Sequence, residues 1–268
     1  MSAAVVAVLV TLSTVYAVGW TRLVRRSPER VRWWLLARLG AGMAGIAALA
    51  VALLALDAAA HESFVAHMVQ HLLLLIVAAP AFLLSDPMAA TAWALPAPLR
   101  RRLGGVLAAG APVRRAWRAL TRMPVAWTAY ALALWLWHMP AAYSAALADA
   151  RLHDLEHLTF FASAVLFWWP VLGRGRWSAA GGSGARIVYV VLGAFQSAAL
   201  GLVLLVSPAP LYAYTLDDQA RGAIVMLAAG GAIDMAAVLF VVYRFLARDD
   251  ARPDLLDSPP TVSENRSV

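Results

Sequence analysis

Residues 63–84 read SFVAHMVQHLLLLIVAAPAFLL, and this run decides the fold. It holds no Asp, Glu, Lys or Arg, and a helix needs about 20 apolar residues to cross a bilayer core. Strands of a membrane barrel would alternate apolar and polar side chains over about ten positions; this run does not alternate. Six further predominantly apolar stretches surround it, at 3–20, 35–56, 125–143, 152–172, 186–206 and 222–245. The sequence therefore predicts an all-α integral membrane protein, a seven-helix transmembrane bundle. Composition agrees: of 268 residues, 62% are hydrophobic and 14% charged, with mean hydropathy +0.71. Soluble domains carry about 45–50% apolar and about 25% charged residues, so a soluble enzyme is excluded.

Arginine placement predicts the orientation. The connections 22–38, 100–122 and 174–186, with the chain end 244–266, hold 20 of the 22 arginines. The alternate connections hold only Arg151 and Arg221, among the acids Asp57, Glu62, Asp149, Asp154, Glu156, Asp217 and Asp218. Basic loops stay cytoplasmic, which puts the N-terminus outside and the C-terminus in the cytoplasm. The net charge of +7 is then a matter of topology and not of nucleic-acid binding. The first stretch reads as an uncleaved anchor, because its basic residues follow the apolar run instead of preceding it. Residues 86–124, rich in Pro and Arg, read as a cytoplasmic loop with short interfacial helices on anionic headgroups. The polar tail 249–268 reads as disordered.

Two absences narrow the chemistry. Without cysteine there is no disulfide, zinc-thiolate site, thiol nucleophile or iron–sulfur cluster. Without lysine there is no Schiff base, so no retinal joined to a seven-helix bundle. No internal repeat is visible, which weighs against an inverted-repeat transporter.

The six histidines remain, and all fall near the outward face. His67 and His71 are four apart on one helical face, as are His153 and His157, and His138 ends the fourth stretch. With a rise of about 1.5 Å per residue, His67, His138 and His157 sit roughly 7 Å below the outer boundary and Met226 roughly 6 Å. His71 is a turn deeper and His153 a turn shallower. Ionisable groups inside spans are rare and tend to face a bundle interior with a function. Imidazole with thioether suits copper, and imidazole alone also suits zinc or iron. His67, His71, His138, His153, His157 and Met226 are therefore candidate metal ligands, and His61, at the interface, is the weakest of the histidines. Glu156, three residues from His153, is placed to orient that ring, while Asp154 points away from His157. The string HDLEH also fits the H-x-x-E-H pattern of zinc peptidases, but no further acidic ligand in a wet cleft accompanies it.

Other polar and aromatic groups have plainer readings. Gln70 and Gln196 are expected to bond across helices. Asp234, the one acid deep in a span at roughly 18 Å, is open between proton relay, partner docking and a neutral hydrogen-bonded role. Pro80, Pro140 and Pro170 are expected to kink or end helices. Trp33-Trp34 and Trp168-Trp169 read as aromatic belts, and Gly230-Gly231 as close helix packing.

Three strings in order give a resemblance. They are His67-Met68-Val69-Gln70-His71 followed by leucines and Pro80, and Trp137-His138-Met139-Pro140 with Tyr143, Ala146 and Leu147. The third is His153-x-x-Glu156-His157 running on to Phe167-Trp168-Trp169-Pro170. Asp218-Gln219 with Gly222 and Met226 is a weaker fourth. Together the chain resembles the seven-span CtaG-type cytochrome c oxidase assembly factors over roughly two-thirds of its length. At position 227, where members often carry an aromatic residue, it has leucine. The single-span copper chaperones that share the family's name bear cysteines, so this chain is not one of them. The resemblance implies a non-catalytic, multi-pass protein of the bacterial plasma membrane that serves assembly of a haem–copper oxidase. It implies copper retention or delivery, oxidase subunits as partners, an extracytoplasmic copper donor, and functional roles for His67, His71, His138, His153 and His157. Beside a purely structural scaffold for oxidase subunits, two other readings stay open from the residues alone. One is a membrane haem protein with paired histidines as axial ligands, moving electrons; the other is a copper or proton transporter.

Overall fold

A computed structural model describes residues 3–108, 110–173 and 182–249, and all regular structure among them is helical. The chain opens with α1 (Ala3–Arg26) and α2 (Glu29–Ala50), the latter extended by a wider π turn over Val51–Ala55. A short α3 (Asp57–Glu62) leads into α4 (Phe64–Leu72), which runs through a π segment, Leu73–Ala78, into α5 (Ala79–Leu84). Next come α6 (Pro87–Ala94), α7 (Ala97–Val106), α8 (Pro112–Leu120), α9 (Met123–Trp137), α10 (Pro140–Ala148) and α11 (Ala150–Leu172). The remainder is α12 (Ser183–Val206), then α13 (Leu216–Val225), a π segment Met226–Gly230 and α14 (Gly231–Asp249).

Among the described residues, six helical runs are long and apolar enough to cross a membrane: 5–26, 29–55, 64–84, 150–172, 184–206 and 216–247. The fourth of the seven expected stretches is built differently. Its apolar helix, α9, has only 15 residues, because Pro140 has no N–H to continue the ladder. The residue before a proline is driven out of the α region, and Met139 is accordingly extended (φ −66°, ψ 132°). Helix α10 then restarts with Pro140 in its first turn.

Helix α11 is central, packed on α9, α10, α5 and the 73–78 segment. Its buried residues His153, Glu156, His157, Phe160, Ala164 and Phe167 recur at helical spacing, one stripe facing the interior. The lower part of this stripe corrects the aromatic-belt reading of Trp168-Trp169. Both are buried; Trp168 Nε1 donates to the Leu75 carbonyl at 2.9 Å, and Trp169 meets Trp117 of α8 edge-on at 4.9 Å. Trp33, by contrast, is 70% exposed. Close packing also moves away from Gly230-Gly231, since a Cβ on Gly231 would meet nothing within 4 Å. It occurs instead at Gly19, where a Cβ would collide with the Ala90 backbone of α6, which therefore docks directly on α1.

The predicted hydrogen bonds of the two glutamines are present. Gln70 Nε2 donates to Ala52 O at 2.7 Å, and Gln196 Oε1 accepts from Trp135 Nε1 at 3.0 Å. Beyond Asp249, the tail expected to be disordered lies outside the described residues, as do Arg174 and Arg176 of the fifth connection.

Candidate metal centre

Each helix bearing a candidate histidine is held by a specific device. Helix α4 begins at Ser63, whose backbone is extended and whose hydroxyl caps Ala66 N. The Asp218 carboxylate accepts from Phe64 N at 2.6 Å and from Ser63 Oγ at 3.1 Å, which places a negative charge on the free N–H groups of a helix start. Gly222, one turn further along α13, makes room for Phe64: a Cβ there would lie 2.4 Å from its ring. Gln219 joins the ends of the intervening loop, donating to Leu204 O at 2.9 Å and accepting from Leu211 N at 2.7 Å. The weak fourth string of the sequence thus has a structural purpose, since it seats α4.

Pro140 does the same for His138. The break leaves the His138 carbonyl free to accept from the Tyr212 hydroxyl at 2.7 Å. His138 Nδ1 donates to Leu134 O at 2.7 Å, so the neutral ring keeps its Nε2 lone pair bare. Metal-binding imidazoles are oriented in this way by their second nitrogen.

The five histidines expected as ligands converge. His67 and His71 stand edge to face with ring centres 4.4 Å apart, and His153 and His157 lie 4.2 Å apart. Across the helices, His67 is 5.4 Å from His153, and His71 is 5.9 Å from His157 and 5.7 Å from His138. All five are 5% exposed or less. None of their Nε2 atoms has a hydrogen-bond partner among the described residues.

Glu156 is the residue whose part the sequence reading understated. It was expected beside His153, orienting that ring. The structure sets its fully buried carboxylate between α4 and α11, with Oε1 3.5 Å from His71 Nε2 and Oε2 3.9 Å from His67 Nε2. Neither oxygen has a hydrogen-bond partner among the described residues. Ligand atoms of His67, His153 and Glu156 lie within 4.8 Å of one another, and so do those of His71, Glu156 and His157. Glu156 is common to both triplets, while His138 faces His71 from α9 outside them. The available signal was the i, i+3, i+4 spacing of His153, Glu156 and His157, which puts all three on one face.

Tyrosines pack beside the cluster. Tyr143 lies 4.7 Å from His67 and 4.1 Å from Tyr212, ring centre to ring centre. Tyr214 donates to Ala60 O at 2.8 Å and accepts from the Tyr143 hydroxyl at 3.3 Å. Burial raises the pKa values of Tyr212 and Tyr214, so both hydroxyls stay protonated near neutral pH. Of the remaining expected groups, Asp154 is exposed and His61 lies at the rim, 5.4 Å from His153. Met226 is buried but lines a different cavity, with Phe195, Ser197 and Asp234 and no histidine.

A buried polar group without a partner costs about 1–3 kcal/mol, and more when charged. Five bare imidazole nitrogens, four of them grouped with a buried carboxylate, are thus a costly arrangement for packing alone and a suitable one for a cation. Imidazole and carboxylate accommodate copper or zinc. A search of curated proteins and one of solved structures found no match. Residues 14–248, which include every histidine and both devices that seat α4 and His138, match a family model described as cytochrome c oxidase caa3 assembly factor (Caa3_CtaG). The chain belongs to the CtaG-type cytochrome c oxidase caa3 assembly factor family.

Proposed function

We propose that this protein holds copper as cargo in the buried imidazole cluster and passes it to a cytochrome c oxidase subunit during assembly. The observation that carries the reading is the set of bare Nε2 atoms on His67, His71, His153 and His157 grouped with the Glu156 carboxylate, with that of His138 beside His71. The ligand set alone would also take zinc; membership of an oxidase assembly family selects copper. No catalytic step is assigned to the chain. Exchangeable imidazoles fit a carrier, because they bind without the oxidation that threatens thiolates outside the cell.

The arginine bias supports an extracytoplasmic cluster in a bacterial plasma membrane, with the N-terminus outside and the C-terminus in the cytoplasm. An oxidase subunit then meets the protein on that side, as does an extracytoplasmic copper donor. Met226 has the smallest part in this reading, as an accessory thioether, because the cavity it lines contains no imidazole. Haem is disfavoured by crowding: Phe160 lies 4.5 Å from His71 and Tyr143 4.7 Å from His67, ring centre to ring centre, so aromatic side chains already pack against both imidazoles. A transport path is disfavoured because Gln196 is already engaged by Trp135 and Ser197.

The test is metal analysis of purified protein after loading with cuprous ion and washing. Alanine at His67, His138 and His157 together should remove the retained copper, and oxidase activity in a deletion strain should not be restored by that variant. Wild-type copper content in the triple variant would end this reading.

A further inference from the structure

Outside the buried cluster lies a second group of ligand-bearing residues. Asp57 and His61 are four apart on α3, so both face the same way. The face they share meets His153 of α11: His153 Nδ1 is 3.8 Å from Asp57 Oδ1, and the His61 and His153 rings are 5.4 Å apart, nearly edge to face. Ligand atoms of the three lie within 4.8 Å of one another. Exposure falls across the group, from the exposed His61, through Asp57 at 27% for its side chain, to His153 at 4%.

His153 belongs to two groups at once. It completes the rim triplet with Asp57 and His61 and the buried triplet with His67 and Glu156. Its Nε2 is buried without a hydrogen-bond partner among the described residues, while its Nδ1 faces Asp57. Ring spacings of 5.4 Å from His61 to His153, 5.4 Å on to His67 and 4.4 Å on to His71 form an unbroken series from the surface to the deepest imidazole. His71 is 2% exposed and His67 is sealed off, so an ion arriving from water meets His61 and Asp57 first.

We propose that Asp57, His61 and His153 form a rim site that captures a divalent or monovalent copper ion and loads the buried cluster through the shared His153. Two imidazoles and a carboxylate are a ligand set that first-row transition ions accept from water. An ion moving one ligand at a time is never released into an apolar interior, where an unpaired charge is most costly. The loading role rests on the copper reading above; the rim site as a metal site does not.

Two measurements on the full-length protein separate these. In the first, cupric ion alone is added to a His67→Ala/His157→Ala variant and followed by electron paramagnetic resonance. One bound ion with imidazole nitrogen hyperfine structure is expected, and it should vanish when His61→Ala is added. A signal indifferent to His61→Ala overturns the rim site. In the second, Asp57→Asn/His61→Ala in the otherwise native chain should reach the native copper content but load more slowly by about tenfold or more. Loading at the native rate overturns the route. His61 is exposed, so His61→Ala keeps the fold, and the native chain with and without it decides the matter should the inner double variant lose its helical circular dichroism. If the native chain retains no copper while the rim signal persists, the buried carrier reading fails and the rim site stands.

Discussion

The two ends of α11 treat buried polar groups in opposite ways. Toward its C-terminal end, Trp168 Nε1 donates to Leu75 O and the Phe167 carbonyl accepts from Tyr189, each at 2.9 Å. Toward its N-terminal end, His153, Glu156 and His157 bury ring nitrogens and carboxylate oxygens that have no such partner. One helix, in one continuous stripe, is satisfied internally at one end and unsatisfied at the other. The satisfied end is cohesive, and its partners come from the chain. The unsatisfied end is the candidate site, and on the copper reading proposed above a cation supplied from outside is its missing partner. The contrast predicts that substitutions at the two ends separate stability from metal retention.

The greatest loss of stability is expected at the cohesive end. Trp168→Ala removes a buried indole and should cost about 3–5 kcal/mol, read as a lower midpoint of thermal unfolding in detergent, with copper content per folded molecule unchanged. Copper loss there would mean the two ends are not separate. At the other end, native protein with copper at about 100 times its dissociation constant should gain about 2.7 kcal/mol. His157→Ala should abolish most of that shift while leaving the copper-free midpoint nearly where it was. A large fall in the copper-free midpoint would make His157 a packing residue instead. Glu156→Gln keeps shape and removes charge; it should weaken copper binding by about tenfold or more, measured by competition with a chelator of known affinity, and unaltered affinity would reduce Glu156 to a spectator. Least affected is Asp218→Asn, which softens the seat of α4 and should cost about 1 kcal/mol with copper content retained. An equal loss from Ser63→Ala would place the same cap on the other partner of that hydrogen bond.

Much of this was readable in advance. Uncharged apolar runs of bilayer length announce spanning helices wherever they occur, because the bilayer leaves the backbone few alternatives. The i, i+4 pairs His67/His71 and His153/His157 predict shared faces from helical geometry alone, and both pairs share a buried one. One reading failed, and one expected proline break shortened a span. Trp168-Trp169 sits at a depth where belts occur, but depth does not say whether a side chain faces lipid or a neighbouring helix, and α8 covers Trp169. The fourth stretch is apolar enough to be drawn as one helix, yet the missing N–H of Pro140 ends α9 at Trp137 and leaves His138 on a helix terminus.

What the amino-acid order settles is local: which segments enter the membrane, which histidines share a helical face, and where prolines interrupt the ladder. These follow from hydropathy and backbone geometry over a few turns, with no reference to the rest of the chain. What the packed bundle settles is who meets whom across helices. Glu156 faces His67 and His71, Asp57 joins His61 and His153 at the rim, and Met226 looks into another cavity altogether. Those pairings depend on helix rotation and tilt, set by contacts such as Asp218 on Phe64 N and the Gly222 notch for the Phe64 ring, between residues more than 150 positions apart.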